Sequence, residues 1–216
     1  SREFLNLLVG LLQDLIQKFD QRYGKLEAIG LASPGIIDYK NGIVIEGSPN
    51  LPEWENLNLR QVFEKKFGVH VVVENDVRSS LIGEIWKGKC QNVHSAALIS
   101  LGTGIGAALL IDEKVIRGKG NAAGEIGYIL FNRDHLYEDW QDKGCFESLV
   151  SGSGLMNRIY RDPMLRQKWG SAKDIFQAAM QNDHDALRLI DEIAEYLAIA
   201  ILNIVSTVNP EVIILT

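Results

Sequence analysis

The chain has 216 residues, of which 46% are hydrophobic and 23% charged, with a formal net charge of −6. That is enough ordinary globular sequence to bury a full core, as one large domain or two small lobes, and the acidic balance argues against a nucleic-acid surface within it. Two widely separated cysteines, Cys90 and Cys145, fit a reducing, cytoplasmic setting, and no apolar run approaches membrane-spanning length.

The first predicted element is a helix. Leu5, Leu8, Val9, Leu12, Leu15, Ile16 and Phe19 recur at three- and four-residue spacing and form one apolar face, closed near Gly24. It reads as an amphipathic helix rather than a signal peptide. Residues 26–32 (LEAIGLA) form a strand leading into Ser33-Pro34-Gly35, and residues 38–42 form a turn between two β-rich pieces. The stretch 57–67 predicts a helix ending at Gly68. A buried strand over 69–73 and a helix over 78–86 follow. Residues 96–101 and 106–111 are strands joined by a glycine loop, and Asp112-Glu113 turns into Val115-Ile116-Arg117. The second half is mostly helical: Ser171 and Asp174 have capping-box spacing, and 186–208 is a long amphipathic helix feeding a final strand at 210–216. Helices alternating with strands, one stretch of them a meander, predict an α/β protein with a mixed sheet. A lobe boundary is expected near the polar stretch at 90–95. The chain starts on a helix without Met and stops on an apolar strand, so it reads as a fragment of a longer protein.

Several polar groups could do chemistry. Asp76 ends an apolar strand, where α/β folds place ligand groups, and its carboxylate could take the proton of an attacking hydroxyl. Asn75 beside it can donate and accept, as a polyhydroxylated ligand requires. The same dipeptide is also what caps a helix. Residues 102–106 (GTGIG) let the backbone turn its N–H groups toward a phosphate, with the Thr103 hydroxyl beside them; a glycine-rich hairpin has the same composition, and no Walker Lys follows. Glu125 lies between Gly124 and Gly127, small neighbours that admit a ligand, although loop glutamates are commonly solvated. Tyr128 could stack on a sugar ring or pack half-buried. Glu147 opens a helix and could aim at a ligand or face the helix dipole. Cys145 reads as a small buried hydrophobe, since no partner His is evident, and the four histidines lack metal spacing.

In this order, the segments 32–35 (ASPG), 50–54 (NLPEW), 74–76 (END), 101–106 (LGTGIG), 123–127 (AGEIG), 144–147 (GCFE) and 209–213 (NPEVI) resemble the ROK family of repressors, open reading frames and kinases. The resemblance runs over nearly the whole chain. It implies an actin/hexokinase-like (ribonuclease H-like) two-lobed fold, with 1–93 in the N-terminal lobe, 94–216 in the C-terminal lobe and sugar in the cleft. By position, Asp76 resembles the catalytic base. Gly35, Asn50, Asn75, Asp76, Glu125, Tyr128 and Glu147 resemble the sugar site, and Gly102, Thr103, Gly104 and Gly106 the second phosphate loop. ATP with Mg²⁺ is the implied co-substrate of an intact kinase, and a homo-oligomer the implied assembly. The first phosphate hairpin and the glycines after the final strand are missing, so this piece alone is expected to be unable to phosphorylate sugar. Tyr128 stands where many members have His. Only Cys145 remains of the family's zinc cysteines, so no zinc is expected, and the aromatics of residues 134–140 are expected to fill that space.

These features lead to an ATP-dependent hexose kinase. The alternative is the inducer-binding part of a sugar-responsive repressor, whose DNA contact would require a helix-turn-helix upstream; a third reading is a non-catalytic sugar-binding domain. Native length discriminates, since about 50 residues upstream would fit a kinase and well over 100 a repressor.

Overall fold

In the computed structural model, the described residues are 2–47, 51, 53–140 and 144–216. Cα packing divides the chain into two compact units. One comprises residues 1–80 with 117–122, and the other 81–116 with 123–216.

The first unit begins with α1 (Arg2–Tyr23), whose Leu5, Leu8, Val9, Leu12 and Ile16 pack on the local core. The predicted stripe is broader than the buried face: Leu15 and Phe19 are exposed, as are Leu7 and Leu11. Strand β1 (Ala28–Ser33) pairs in parallel with β5 (His70–Asn75), placing Ser33 opposite Asn75. Between them β2 (Ile36–Asp38), β3 (Ile43–Glu46) and β4 (Leu57–Asn58) form an antiparallel sheet, with a register shift between Ile36 and Ile37. The helix expected over 57–67 is therefore shorter. Asn58 accepts a hydrogen bond from the Gln61 N–H at 2.9 Å, so α2 (Leu59–Phe67) starts after that cap, and Gly68 ends it in the left-handed region. Ile37, Val44, Phe63, Val71 and Val73 are fully buried at the centre.

The unit boundary falls within α3 (Asp76–Lys87). In the second unit β6 (Ala96–Leu101) is central, antiparallel to β7 (Ile105–Ile111) and parallel to β9 (Val212–Leu215), while β8 (Lys114–Ile116) extends the β7 edge. Ala96, Ala97, Leu98 and Ile99 are fully buried, the continuous apolar run of a strand covered on both faces. Glu211 holds the β9 end: its carboxylate accepts the N–H groups of His94 and Ser95 at 3.0 and 2.9 Å. The helices α4 (Cys145–Val150), α5 (Gly152–Arg161), α6 (Pro163–Lys168), α7 (Ala172–Met180) and α8 (His184–Val208) supply the rest of the core. Ser171 caps α7 through the Asp174 N–H, as its spacing predicts. Among the described residues no helix is long and apolar enough to cross a membrane.

Candidate functional site

In the first unit the chain turns from β5 directly into α3, and Asn75 and Asp76 occupy that turn. Asn75 is buried and its side chain works in two directions. Its Oδ1 accepts the Arg78 N–H at 3.1 Å, which is a helix cap, and its Nδ2 donates to the Gly35 carbonyl at 3.1 Å. The capping chemistry and the polar-ligand chemistry read from this dipeptide thus meet in one residue. Nδ2 carries two hydrogens, and Gly35 takes one. Asp76 is exposed, with Oδ1 accepting the Val77 N–H at 3.0 Å.

Beneath this turn lies a buried ionic cluster. Glu74 is 6% exposed and Arg78 1%. Glu74 Oε1 accepts the Asn75 N–H at 2.9 Å and Arg78 Nε at 3.0 Å. Its Oε2 accepts Arg117 Nε at 2.8 Å and lies 2.6 Å from Arg117 Nη2. The Arg117 guanidinium carbon in turn sits 4.0 Å over the Tyr39 ring. Every charge in the cluster has an opposite partner, as burial demands. Trp54, 4% exposed, donates from Nε1 to the Ser33 hydroxyl at 2.9 Å and ties the Ser33-Pro34-Gly35 turn to the segment after β3. Asn50 lies outside the described residues.

In the second unit the β6–β7 connection is tighter than the glycine run suggests. Leu101 already pairs with Ile105, and Gly106 lies within β7 opposite Ser100, so the loop is Gly102-Thr103-Gly104. Gly102 and Thr103 are exposed on their outer side, while their carbonyls accept the N–H groups of Gly152 and Ser153 at 2.8 and 3.0 Å. Glu147 approaches the same loop from α4. Its Oε2 accepts the Ile105 N–H at 3.1 Å, and a Cβ on Gly104 would stand 2.7 Å from that oxygen. Glycine at 104 is therefore what lets the carboxylate in.

Glu125 precedes a 3-10 turn over Ile126–Tyr128. The glycine before it serves the fold as well as any ligand: Gly124 has φ +95° and a Cβ there would lie 2.0 Å from the Ala107 carbonyl. Gly124 also accepts the Ala107 N–H at 2.8 Å, docking the turn on β7. On the other side, Gly144 at the α4 N-terminus sits so close to Gly127 that a Cβ would meet its carbonyl oxygen at 2.5 Å. Glu125, Tyr128 and Glu147 thus lie on two elements packed against each other, with Tyr128 55% exposed.

Within residues 134–140, Trp140 packs on His135, a neighbour of Cys145 that the sequence did not reveal. His135 is buried, and its Nδ1 lies 3.1 Å from Cys145 Sγ. Its Nε2 is 3.0 Å from the Asn132 amide, and Trp140 meets the ring edge-on while donating to the His135 carbonyl at 2.8 Å. The sequence shows no partner His for Cys145, and the structure supplies one in His135, while the burial expected of the cysteine is observed. Nothing in a ten-residue separation marks the pair. Burial, with the Glu138 charge adding to it, pushes the Cys145 thiol up, so the sulfur behaves as packing rather than as a nucleophile. Among the described residues no group of three His, Cys, Asp or Glu side chains could hold a metal.

The ROK family model matches residues 3–216. A xylose repressor of Caldicellulosiruptor bescii is 30% identical over 227 residues, covering 100% of this chain and 56% of the relative. A glucokinase of Thermotoga maritima is 30% identical over 198 residues, covering 87% of this chain and 62% of the relative. The structure of a ROK glucokinase from Streptomyces griseus with glucose and AMPPNP superposes with a TM-score of 0.76 at 28% identity, covering 97% of this chain and 71% of that one. The chain spans about 56–62% of the length of these two curated relatives.

Proposed function

The chain belongs to the ROK family and has its actin/hexokinase-like fold, and on that premise we propose that it is the sugar-binding part of an ATP-dependent hexose or glucoside kinase. The observation that carries this reading is Asp76, an exposed carboxylate on a turn whose backbone is pinned by buried charges. A base so held can accept the proton of a sugar hydroxyl as that oxygen attacks the γ-phosphoryl group of ATP. Asn50, Asn75, Glu125, Tyr128 and Glu147, with the Gly35 backbone, hold the remaining hydroxyls. The exposed loop at Gly102, Thr103 and Gly104, continued by Gly106 in β7, suits phosphate oxygens, which backbone N–H groups and a hydroxyl bind well. Mg²⁺ would accompany the nucleotide. Residues 1–93 and 94–216 contribute to the two lobes, and the intact protein is a cytoplasmic homo-oligomer.

A second reading is favoured by the xylose repressor, which covers this chain entirely. In it the same pocket binds an inducer and a segment upstream binds DNA. Sugar-stimulated ADP formation by the full-length protein, measured with glucose, N-acetylglucosamine and xylose, decides between them. Turnover on any of these, lowered by about 10²- to 10⁴-fold in Asp76→Asn, supports the kinase. No turnover, together with sugar-sensitive DNA binding, replaces it with the repressor.

A further inference from the structure

We infer that Arg117, acting through Glu74, is a positioning residue for Asp76. The inference rests on the kinase reading above, because it concerns what aims the proposed base. Asp76 itself contacts little: its carboxylate takes one N–H of its own first helical turn. Its direction must come from the backbone on either side. Glu74 grips both sides with one oxygen, accepting the N–H of Asn75 and the guanidinium of Arg78, the residues just before and two after Asp76. That grip is only as fixed as Glu74, and the other oxygen of Glu74 is held by Arg117 through two nitrogens.

Arg117 is 43 positions from Glu74 and has a second anchor in the Tyr39 ring, so it cannot swing with α3. The segment 117–122 packs with the first unit although the residues before and after it in sequence belong to the second. Glu74 and Arg78 are the buried carboxylate and guanidinium among the described residues. Neutralising Glu74 needs one guanidinium, and the structure supplies two. Buried ion pairs seldom stabilise a fold more than apolar side chains of the same size would. What the second guanidinium adds is direction, and displacing a catalytic group by about 1 Å can cost on the order of 100-fold in rate.

The test uses the full-length protein with glucose, N-acetylglucosamine and xylose, and places Arg117→Met, Arg117→Lys and Glu74→Gln in wild-type and Asp76→Asn backgrounds. Arg117→Met should lower kcat by about 10- to 100-fold while KM for sugar and ATP changes by less than about 3-fold. Arg117→Lys should recover part of the loss. In the Asp76→Asn background the same change should cost less than about 2-fold, because a residue that acts through Asp76 has nothing left to aim. An equal loss in both backgrounds, or an unchanged kcat, overturns the inference. If all three variants fail to fold, the cluster serves stability alone and the inference is likewise overturned. A wild-type protein that phosphorylates none of the sugars removes the kinase reading first, before any variant is compared.

Discussion

The β5–α3 turn and the start of α4, where it meets the glycine loop, each present a carboxylate, and they fix it by opposite means. At the turn, Asp76 is aimed by side chains: a buried Glu74 between two guanidiniums, and an asparagine that caps the helix and latches onto Gly35. At the loop, Glu147 is aimed by main chain: the Ile105 N–H receives it, and the missing Cβ of Gly104 makes room for it. The first arrangement is costly to break because it buries charge. The second is costly to break only where backbone atoms crowd, as at Gly144. A proposed base, which must keep one orientation, sits on the ionic scaffold. A proposed ligand-binding carboxylate, which must exchange partners when a sugar arrives, is received by a main-chain N–H.

That contrast can be broken by mutation. The largest effect is expected from Arg78→Met, which leaves Glu74 with Arg117 alone in a site that is 6% exposed. Removing one partner of a buried charge cluster costs about 3–5 kcal/mol, to be read by chemical denaturation. Gly144→Ala comes next. Its φ is +78° and the new methyl would meet the Gly127 carbonyl oxygen at 2.5 Å, so a loss of about 2–3 kcal/mol is expected in the same assay. Glu147→Gln should leave stability within about 0.5 kcal/mol, since an amide oxygen can still accept the Ile105 N–H. It should weaken sugar binding by calorimetry by about 1.5–3 kcal/mol, the worth of a charged hydrogen bond. If stability falls and binding does not, the two regions are alike and the contrast is wrong.

The smallest effect concerns Glu211, a carboxylate that accepts two main-chain N–H groups and a hydroxyl. Burial pushes its carboxyl up, but the N–H groups of Ser95 and His94 and the Ser95 hydroxyl together outweigh that and hold it below its ordinary value. A carboxyl depressed in the folded state contributes stability above its unfolded pKa, near 4.3 for glutamate, and that contribution is lost as pH falls through the lower folded value. Melting temperature should therefore decline more steeply in acid for wild type than for Glu211→Gln. Parallel acid slopes would show that these hydrogen bonds contribute nothing.

The legible parts of the fold were those with local causes. The helix ending at Val208 repeats its apolar residues over many turns, and Ser171 announces its own cap. Asn58 carried an equally local signal that divides β4 from α2, and the apolar run around it obscured that signal. The ends of the site were legible because Asn75-Asp76 and the glycine run are compact motifs. Their partners were not: Arg117 is 43 positions from Glu74, Glu147 is 42 from Ile105, and His135 meets Cys145 across a loop without any pattern. Charge pairing and close approach are set by tertiary packing, and a linear motif records only one side of each.

On the kinase reading, Asp76 and Glu147, so differently held, serve one sugar. The most direct measurement is a crystal structure of the full-length protein with a sugar that it binds. Both carboxylates are expected within hydrogen-bond distance, about 2.6–3.2 Å, of hydroxyls on the same sugar ring. A bound sugar touching only one of them, with the other turned to solvent, would contradict it.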